Sequence, residues 1–555
     1  MSRTQRWTMV AVILGSGIVF LDTSVVNLAL PRIGAELPSG LFGRLEAQSY
    51  VANGYFLTLS ALLVLAGALT DYHGRKRMFG LGLAGFGITS LLCGIAPTME
   101  LLILFRILQG AAGALVVPGS LSIITASFEG EQQGRAFGIW AGASAATTIL
   151  GPFIGGILVN SISWRMAFLI NIPFLIIAYL ATVRFVPESR DEEATGKFDW
   201  LGSAVIAVAV GGLAFGTIRG QQTDWQGLAP LVSLAVGAAA TVLFPILMLR
   251  RRNPLVPPSL FKSRNFTVTN LSTFVIYGAL YVVITFQGLF LIGTLGYNEP
   301  AAGLAGIPGT LFLVLFSTRF GRLAARYGPR LFMALGPAIM GLGLLWLTRF
   351  PSDSEPWVLG AGGTVLPPAS YFLDLLPALL VFGAGLMVMV APLTTALMTS
   401  VPKPRAGVAS AINNAISRVG SPLITAVIFV VVVSSFYGAI ADRVPEANVD
   451  SPAFRQQVSP LNPPEGETQS VMAGAVREAS TDAFRLAMLV AAALMFAGAA
   501  INAGGIRNPR REEAPAEELQ GPEAPEAAPK KEEHALAPAP TCVICEEPVK
   551  AGHTH

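Results

Sequence analysis

Fourteen runs of about 20 mostly apolar residues constrain this chain more than any other feature, because a run of that length is what a membrane-crossing helix needs. They fall near 8–30, 47–70, 78–97, 100–124, 135–159, 164–186, 199–219, 228–249, 267–292, 301–320, 331–349, 371–398, 406–436 and 482–505. Lipid offers no partner to a peptide group, so each run must satisfy its own backbone as a helix. Composition agrees. The chain is 53% hydrophobic and 13% charged, about half the charge of a soluble protein, and too little to cover a soluble surface of this size. The sequence therefore predicts an all-α polytopic membrane protein. The basic start MSRTQRW leads into a run longer than the apolar core of a signal peptide, and no A-x-A-like cleavage site follows. A retained first span is expected.

The loops orient the spans. With the N-terminus inside, the inner loops carry Arg75-Lys76-Arg77, Arg135, Arg184 with Arg190 and Lys197, Arg250-Arg251-Arg252 with Lys262 and Arg264, Arg322 with Arg326 and Arg330, and Lys403 with Arg405. The outer loops are poor in cations, and the long one at 437–481 holds six acids against three arginines. This is the positive-inside pattern, and it places both termini in the cytoplasm. The three cysteines are Cys93 in a span and Cys542 and Cys545 near the end, so no disulfide framework is expected.

An internal repeat divides the chain. GALTDYHGRKR at 67–77 follows the second span and GRLAARYGPRL at 321–331 follows the tenth, so that Gly67 meets Gly321, Leu69 meets Leu323 and Gly74 meets Gly328 at an offset of 254. Related six-helix halves with a site at their interface suit alternating access by rocking. The expected organisation is a six-helix bundle over 1–190, two inserted spans over 191–260, a second six-helix bundle over 261–507 with the outer loop 437–481, and a tail over 508–555. The tail is rich in Pro, Ala and Glu and is expected to be disordered.

Two ionisable residues lie inside the first half at similar depth. Asp22 sits nine residues before Pro31 at the outer end of the first span, about 13 Å deep at 1.5 Å per residue. Arg106 is about seven residues into the inward-running fourth span, or about 10 Å deep. Charges at membrane depth are costly, pair with one another or face water, and mark function. A carboxylate whose burial and neighbouring cation oppose each other can bind a proton on one side and release it on the other. It can also attract a cationic substrate. Either use suits an exchanger. The fifth span reads GASAATTILGPFIGG over 142–156, with Pro152 among Gly142, Gly151, Gly155 and Gly156. Small residues four apart permit close helix approach, and the proline removes a backbone hydrogen bond that neighbouring helices can compensate.

These stretches resemble the signatures of the major facilitator superfamily. GALTDYHGRKR is similar to its inner-loop motif G-x-L-x-D-x-x-G-R-K-R, FLDTSVVNLALP to the first-helix motif of its drug:proton antiporters, and LILFRILQGAAGA to their fourth-helix motif. The pattern G-x8-G-P-x2-G-G at 142–156 is similar to the antiporter motif, and WRMAFLINIP at 164–173 to the sixth-helix signature of the fourteen-helix EmrB/QacA branch. The resemblance covers about residues 5–505. It implies a major facilitator fold of fourteen helices, with Asp22 in proton coupling or cation recognition and Arg106 in the proton relay. It further implies an inner latch of Gly67, Asp71, Gly74, Arg75 and Arg77, and a hinge of Gly142, Gly151, Pro152, Gly155 and Gly156. Tyr72 departs from the usual arginine of the inner motif, and Ala325 replaces the aspartate in its second copy.

Candidate cavity residues are Asn27, Gln109, Tyr281, Gln287, Met387 and Met389. Asp374 is expected at the outer edge of the twelfth span, and no acid lies deep within 267–436, which favours monovalent or neutral lipophilic compounds as substrates. In the tail, Cys542, Cys545, His553 and His555 could together offer four ligands to zinc, although their spacing departs from that of zinc fingers. No P-loop of the form G-x4-G-K-[ST] is present, so ATP is not expected to drive the protein. The reading is a monomeric, non-enzymatic, cofactor-free secondary transporter of the cytoplasmic membrane. It would export lipophilic or cationic compounds in exchange for protons, with no nucleic-acid partner. Two alternatives stand beside it: an exporter dedicated to one endogenous antibiotic, siderophore or lipid, and a transporter-like sensor.

Overall fold

A computed structural model of the protein describes residues 1–41, 44–191, 198–222, 227–360, 366–451, 454–455, 458–461 and 470–508. Among these residues the structure is helical, with no strand. Six long helices form the first bundle: α1 (Arg3–Glu36), α2 (Arg44–His73), α3 (Arg75–Gly94), α4 (Met99–Ser127), α5 (Gly130–Ser161) and α6 (Met166–Phe185). Next come α7 (Trp200–Gln222) and α8 (Leu228–Arg250). The second bundle holds α9 (Arg264–Thr294), α10 (Glu299–Tyr327), α11 (Arg330–Leu347), α12 (Tyr371–Thr399), α13 (Ala406–Arg443) and α14 (Met472–Gly505). Thirteen of these helices have the length and hydropathy of a membrane span. The fourteenth, α5, has no charged residue from Ala136 to Ser161 and is long enough to cross.

Local sequence sets the helix ends. Ser2 and Gln5 form a reciprocal capping box at the start of α1, each side chain accepting from the other's backbone N–H at 3.1 and 2.9 Å. Thr98 caps α4 by accepting from Leu101 N–H. Gly74 enters α3 with φ +106°, a conformation that glycine adopts without strain, and the Glu188 carboxylate accepts from the first amides of that helix, Lys76 and Arg77, at 3.0 and 3.2 Å. Gly328 repeats this turn with φ +89°, so the second copy of the repeat keeps the geometry of the first.

Two boundaries differ from the hydropathy reading. The loop expected over 437–481 is shorter, because α13 runs on to Arg443 and α14 begins at Met472. Past the apolar run the two helices are clamped by Arg443, which donates to Glu478 at 3.2 Å and to Asp482 at 2.6 Å. Polar helix extensions held by ion pairs carry no hydropathy signal.

In the first bundle α2 packs on α4 and α1 on α5; in the second, α11 packs on α12 and α9 on both α13 and α14. The bundles meet along α2 against α13 and α5 against α10, and α7 covers the first of these seams by touching both α2 and α13. The inserted pair is held together where Gly212 meets Gly237, a Cβ on Gly212 lying 3.0 Å from the Gly237 Cα. The outer face of α8 presents Leu231, Val242 and Leu249, each more than half exposed, as expected of a lipid-facing surface.

Candidate functional site

Asp22 lies at the centre of a closed polar cluster drawn from five helices of the first bundle. Its Oδ2 accepts from Arg106 Nη1 at 2.5 Å, and its Oδ1 accepts from Gln109 Nε2 at 3.2 Å and Asn171 Nδ2 at 3.0 Å. Gln109 and Asn171 also donate to Ser90 Oγ at 3.3 and 3.0 Å, and that hydroxyl donates to the Phe168 carbonyl. Arg106 also donates to Gln109 Oε1 at 2.7 Å and the Val51 carbonyl at 3.2 Å, and its guanidinium lies 4.1 Å from the centre of the Tyr55 ring. Asp22 is 0% and Arg106 1% exposed. A charge buried in lipid is tolerable when paired and hydrogen-bonded; Asp22 accepts from three donors, and Arg106 has its ion pair, two further acceptors and the face of the Tyr55 ring.

The similar depths of Asp22 and Arg106 are legible in the sequence, and the structure brings the two together. Tyr55, Ser90 and Asn171 escaped that reading. Only the folding of α2, α3 and α6 around α1 aims Asn171 at the carboxylate, sets Ser90 behind Gln109 and Asn171, and lays the Tyr55 ring against Arg106. The signal for Asn171 lies within WRMAFLINIP, where it is the sole amide. Its Oδ1 is buried without a donor, which leaves the cluster one acceptor in excess.

A second cluster joins the bundles at the cytoplasmic ends. Asp71 Oδ1 accepts from Gly407 N–H at 3.0 Å and Oδ2 from Val408 N–H at 2.8 Å. These are the first amides of α13, whose own N-cap residue, Arg405, provides no side-chain cap. A carboxylate from the first bundle thus caps a helix of the second, where a helix N-terminus favours negative charge. Arg75 pairs with Asp71 at 3.3 Å and donates to the carbonyls of Lys403 and Pro404. Lys403 also pairs with Glu129, and that ammonium holds the Glu129 carboxyl below the ordinary range. Gly67 allows the approach, since a Cβ there would strike Ala411 and the Gly407 carbonyl.

The opposite seam repeats the contact with glycine alone. Gly321 of α10 lies against the Gly134 backbone of α5, and a Cβ on Gly134 would meet the Ala325 Cβ at 2.7 Å. The close approach here rests on the missing side chain of Gly134, and Ala325 offers no carboxylate to cap a helix of the first bundle.

Arg77 differs from expectation: its side chain is exposed and, among the described residues, only its backbone N–H is engaged, by Glu188, because α3 turns that position away from α13. In the hinge motif, Gly142 faces Ser317 of α10, Gly151 faces Ser24 of α1, and Gly155 faces Val25 of α1. Pro152 and Gly156 fall within α5, and their side-chain surroundings lie outside the described residues. Cys542, Cys545, His553 and His555 lie outside them too. Among the described residues no group of three or more His, Cys, Asp or Glu could hold a metal.

A cavity of about 390 Å³ opens between α2, α7, α9 and α13, and Tyr281 lines it. The other candidates are placed elsewhere. Gln109 is fully buried in the Asp22 cluster. Met389 is buried in the packing of α12 on α11, where its Cβ lies against Gly336. Asn27 is exposed, Gln287 and Met387 are half-buried, and none of the three lines this cavity. Asp22 has no surface in the cavity either, so the expected contact of a cation with it has no geometry in this conformation. Helical periodicity could not choose between these faces, because every face of such a helix is apolar.

The sequence profile of the Major Facilitator Superfamily matches residues 12–425. The chain is 32% identical over 424 residues to the multidrug resistance protein Stp of Mycobacterium tuberculosis (strain CDC 1551 / Oshkosh), covering 76% of this chain and 75% of Stp. It is 30% identical over 520 residues to the tetracenomycin C resistance and export protein of Streptomyces glaucescens, covering 90% of this chain and 91% of that protein. Among solved structures it resembles the human organic anion transporter MFSD10 (TETRAN) with a TM-score of 0.56 at 12% identity, covering 90% of this chain and 100% of that one. It resembles the proton:xylose symporter XylE with a TM-score of 0.53 at 15% identity, covering 88% and 95%. The structural neighbours share the fold, and the sequence relatives are named for drug resistance and export. The chain therefore belongs to the major facilitator superfamily, as a fourteen-helix transporter of the cytoplasmic membrane with no enzymatic chemistry.

Proposed function

We propose that this protein exports lipophilic small molecules in exchange for protons, by alternating access, with Asp22 as the proton carrier. The observation that carries this reading is the sealed Asp22–Arg106 pair at membrane depth, in a molecule whose cytoplasmic ends are latched by Asp71. An ionised carboxylate holds Arg106 in place. Protonation from the outer side removes that hold and frees the guanidinium to move on its helix. The first bundle can then shift against the second. Breaking the latch leaves the first amides of α13 facing cytoplasmic water, which satisfies them in place of Asp71. A proton leaving Asp22 toward the cytoplasm restores the pair and the closed inner side.

The reading is tested in proteoliposomes with an imposed pH gradient, acidic on the side corresponding to the cell exterior. Accumulation of a lipophilic fluorescent probe that collapses with a protonophore supports it, and accumulation that a protonophore leaves intact removes the coupling. A second reading, export of one endogenous product, is favoured by 31% identity over 461 residues to the probable actinorhodin transporter of Streptomyces coelicolor, beside the tetracenomycin C export protein. A panel of polycyclic aromatic antibiotics in the same assay separates the two: a single accepted compound selects the dedicated exporter.

A further inference from the structure

The cavity between the bundles holds a cation that neither the motifs nor the latch uses. Arg418 of α13 lines it beside Asn53 and Ser60 of α2 and Tyr281 and Thr285 of α9. It lies eleven residues beyond Gly407, about 16 Å along the helix from the cytoplasmic end, which is near the middle of a hydrocarbon core about 30 Å thick. Ser60, eleven residues before Asp71, reaches the same depth from the opposite bundle. Arg418 is only partly buried, and among the described residues it has no hydrogen-bond or ion-pair partner. No acidic residue lines the cavity. A guanidinium held at mid-membrane without a counter-charge is costly, and a ligand that brings the counter-charge lowers that cost. Apart from Thr425 the rest of the lining is apolar and aromatic, with Phe56 and Phe429 among its walls.

We infer that Arg418 is the recognition group for an anionic amphiphile, a molecule with an apolar body and one carboxylate, phenolate, sulfonate or phosphate head. The planar fork of the guanidinium matches such heads with paired hydrogen bonds. The hydroxyls of Ser60 and Thr285 and the amide of Asn53 supply further donors. The apolar body lies between the aromatic walls. A second cavity of about 360 Å³ shares Asn53 and Ile218 with the first and is lined by Ile103 and Ile107 of α4 and Phe215 of α7. Ile107 is more than a third exposed on the outside of the bundle. An amphiphile in the bilayer therefore has a largely apolar way in between α4 and α7, with Arg219 lying against the Tyr50 ring as the charged group along it. This inference rests on the export reading and narrows its substrate class.

The test uses three probes with one apolar body: 1-pyrenebutyrate, its carboxamide, and pyrenebutyl-trimethylammonium. Binding to the purified full chain is followed by pyrene fluorescence, which does not depend on proton coupling. Wild type is expected to bind the carboxylate tightest. Arg418→Gln should weaken the carboxylate by about ten- to a hundred-fold and leave the other two within about twofold of wild type; Arg418→Lys should restore part of the loss. Equal binding of the three heads by wild type, or an equal loss of all three in Arg418→Gln, overturns the assignment and makes Arg418 a structural group. Nanodiscs of phosphatidylcholine with and without phosphatidylglycerol distinguish two sources of the anion. Competition by phosphatidylglycerol assigns the site to a lipid headgroup, and its absence assigns it to a free amphiphile. Failure of pH-driven transport with selective carboxylate binding intact would count against the coupling and leave Arg418 in place.

Discussion

Replacing Asp22 by asparagine keeps the shape of the side chain and removes its charge, so it isolates what the carboxylate does. Both oxygens of Asp22 act as acceptors, Oδ2 for Arg106 and Oδ1 for Gln109 and Asn171. An amide has one acceptor. Whichever way it turns, its NH2 group faces a donor, either the Arg106 guanidinium at a site 2.5 Å away or two amides at 3.0 and 3.2 Å. Arg106 keeps Gln109 Oε1 and the Val51 carbonyl but loses its counter-charge. Removing one partner of a buried pair costs about 3–5 kcal/mol, so Asp22→Asn should unfold at a visibly lower temperature in detergent. Asp22→Asn with Arg106→Gln should recover part of that loss, because the orphaned charge is gone and neighbouring substitutions do not add. Transport should separate into two parts. Uphill accumulation driven by an imposed pH gradient should vanish in both variants, while downhill exchange of substrate at equal pH should persist in the double variant. A pH-driven rate equal to wild type in either variant would refute the reasoning, since among the described residues no other carboxylate bonds to the cluster to carry the proton.

The latch makes further predictions. Asp71→Asn weakens two charge-assisted bonds to α13, each worth about 1.5–3 kcal/mol. It should raise the share of molecules open to the cytoplasm by tenfold or more, read as faster maleimide labelling of Ser122→Cys, a position fully buried beneath Asp71. Gly67→Val should act the same way through steric collision with α13, and wild-type labelling in that variant would show that the seam can yield. Glu129 has its carboxyl held low by Lys403; its contribution to the closed inner side is present above the ordinary carboxylate range and is lost as pH falls through the depressed value. Glu129→Gln should reduce the acid-side dependence of Ser122→Cys labelling by a small and salt-sensitive amount. Deleting 509–555 should leave pH-driven transport unchanged. Loss of transport on deletion, or micromolar zinc binding by the full chain that the deletion abolishes, would give the tail a role in the cycle.

The span count, the orientation and the repeat were legible because lipid imposes them on the sequence locally: an apolar run of the right length must be a helix, and a basic loop stays inside. The pairing of Asp22 with Arg106 was half legible, from depth alone. What depth could not supply was azimuth. Asn171 turns toward Asp22, Ser90 and Tyr55 turn toward its partners Gln109 and Arg106, Met389 turns into the packing of α12 on α11, and Arg77 turns to solvent, while each of these helices is apolar all round and offers no periodic stripe to read. The same blindness hid Arg418, an arginine in a long apolar run with no marked partner.

The amino-acid order by itself thus determined a fourteen-helix membrane protein in two related halves, with one acid and one cation at matching depth in the first. Only the tertiary structure decided that these two neutralise each other out of reach of the cavity, that Asp71 caps a helix of the opposite half, and that the charge facing the cavity is positive. The physical reason is that burial along the membrane normal is written into each span, whereas rotation about it depends on neighbours far away in the chain.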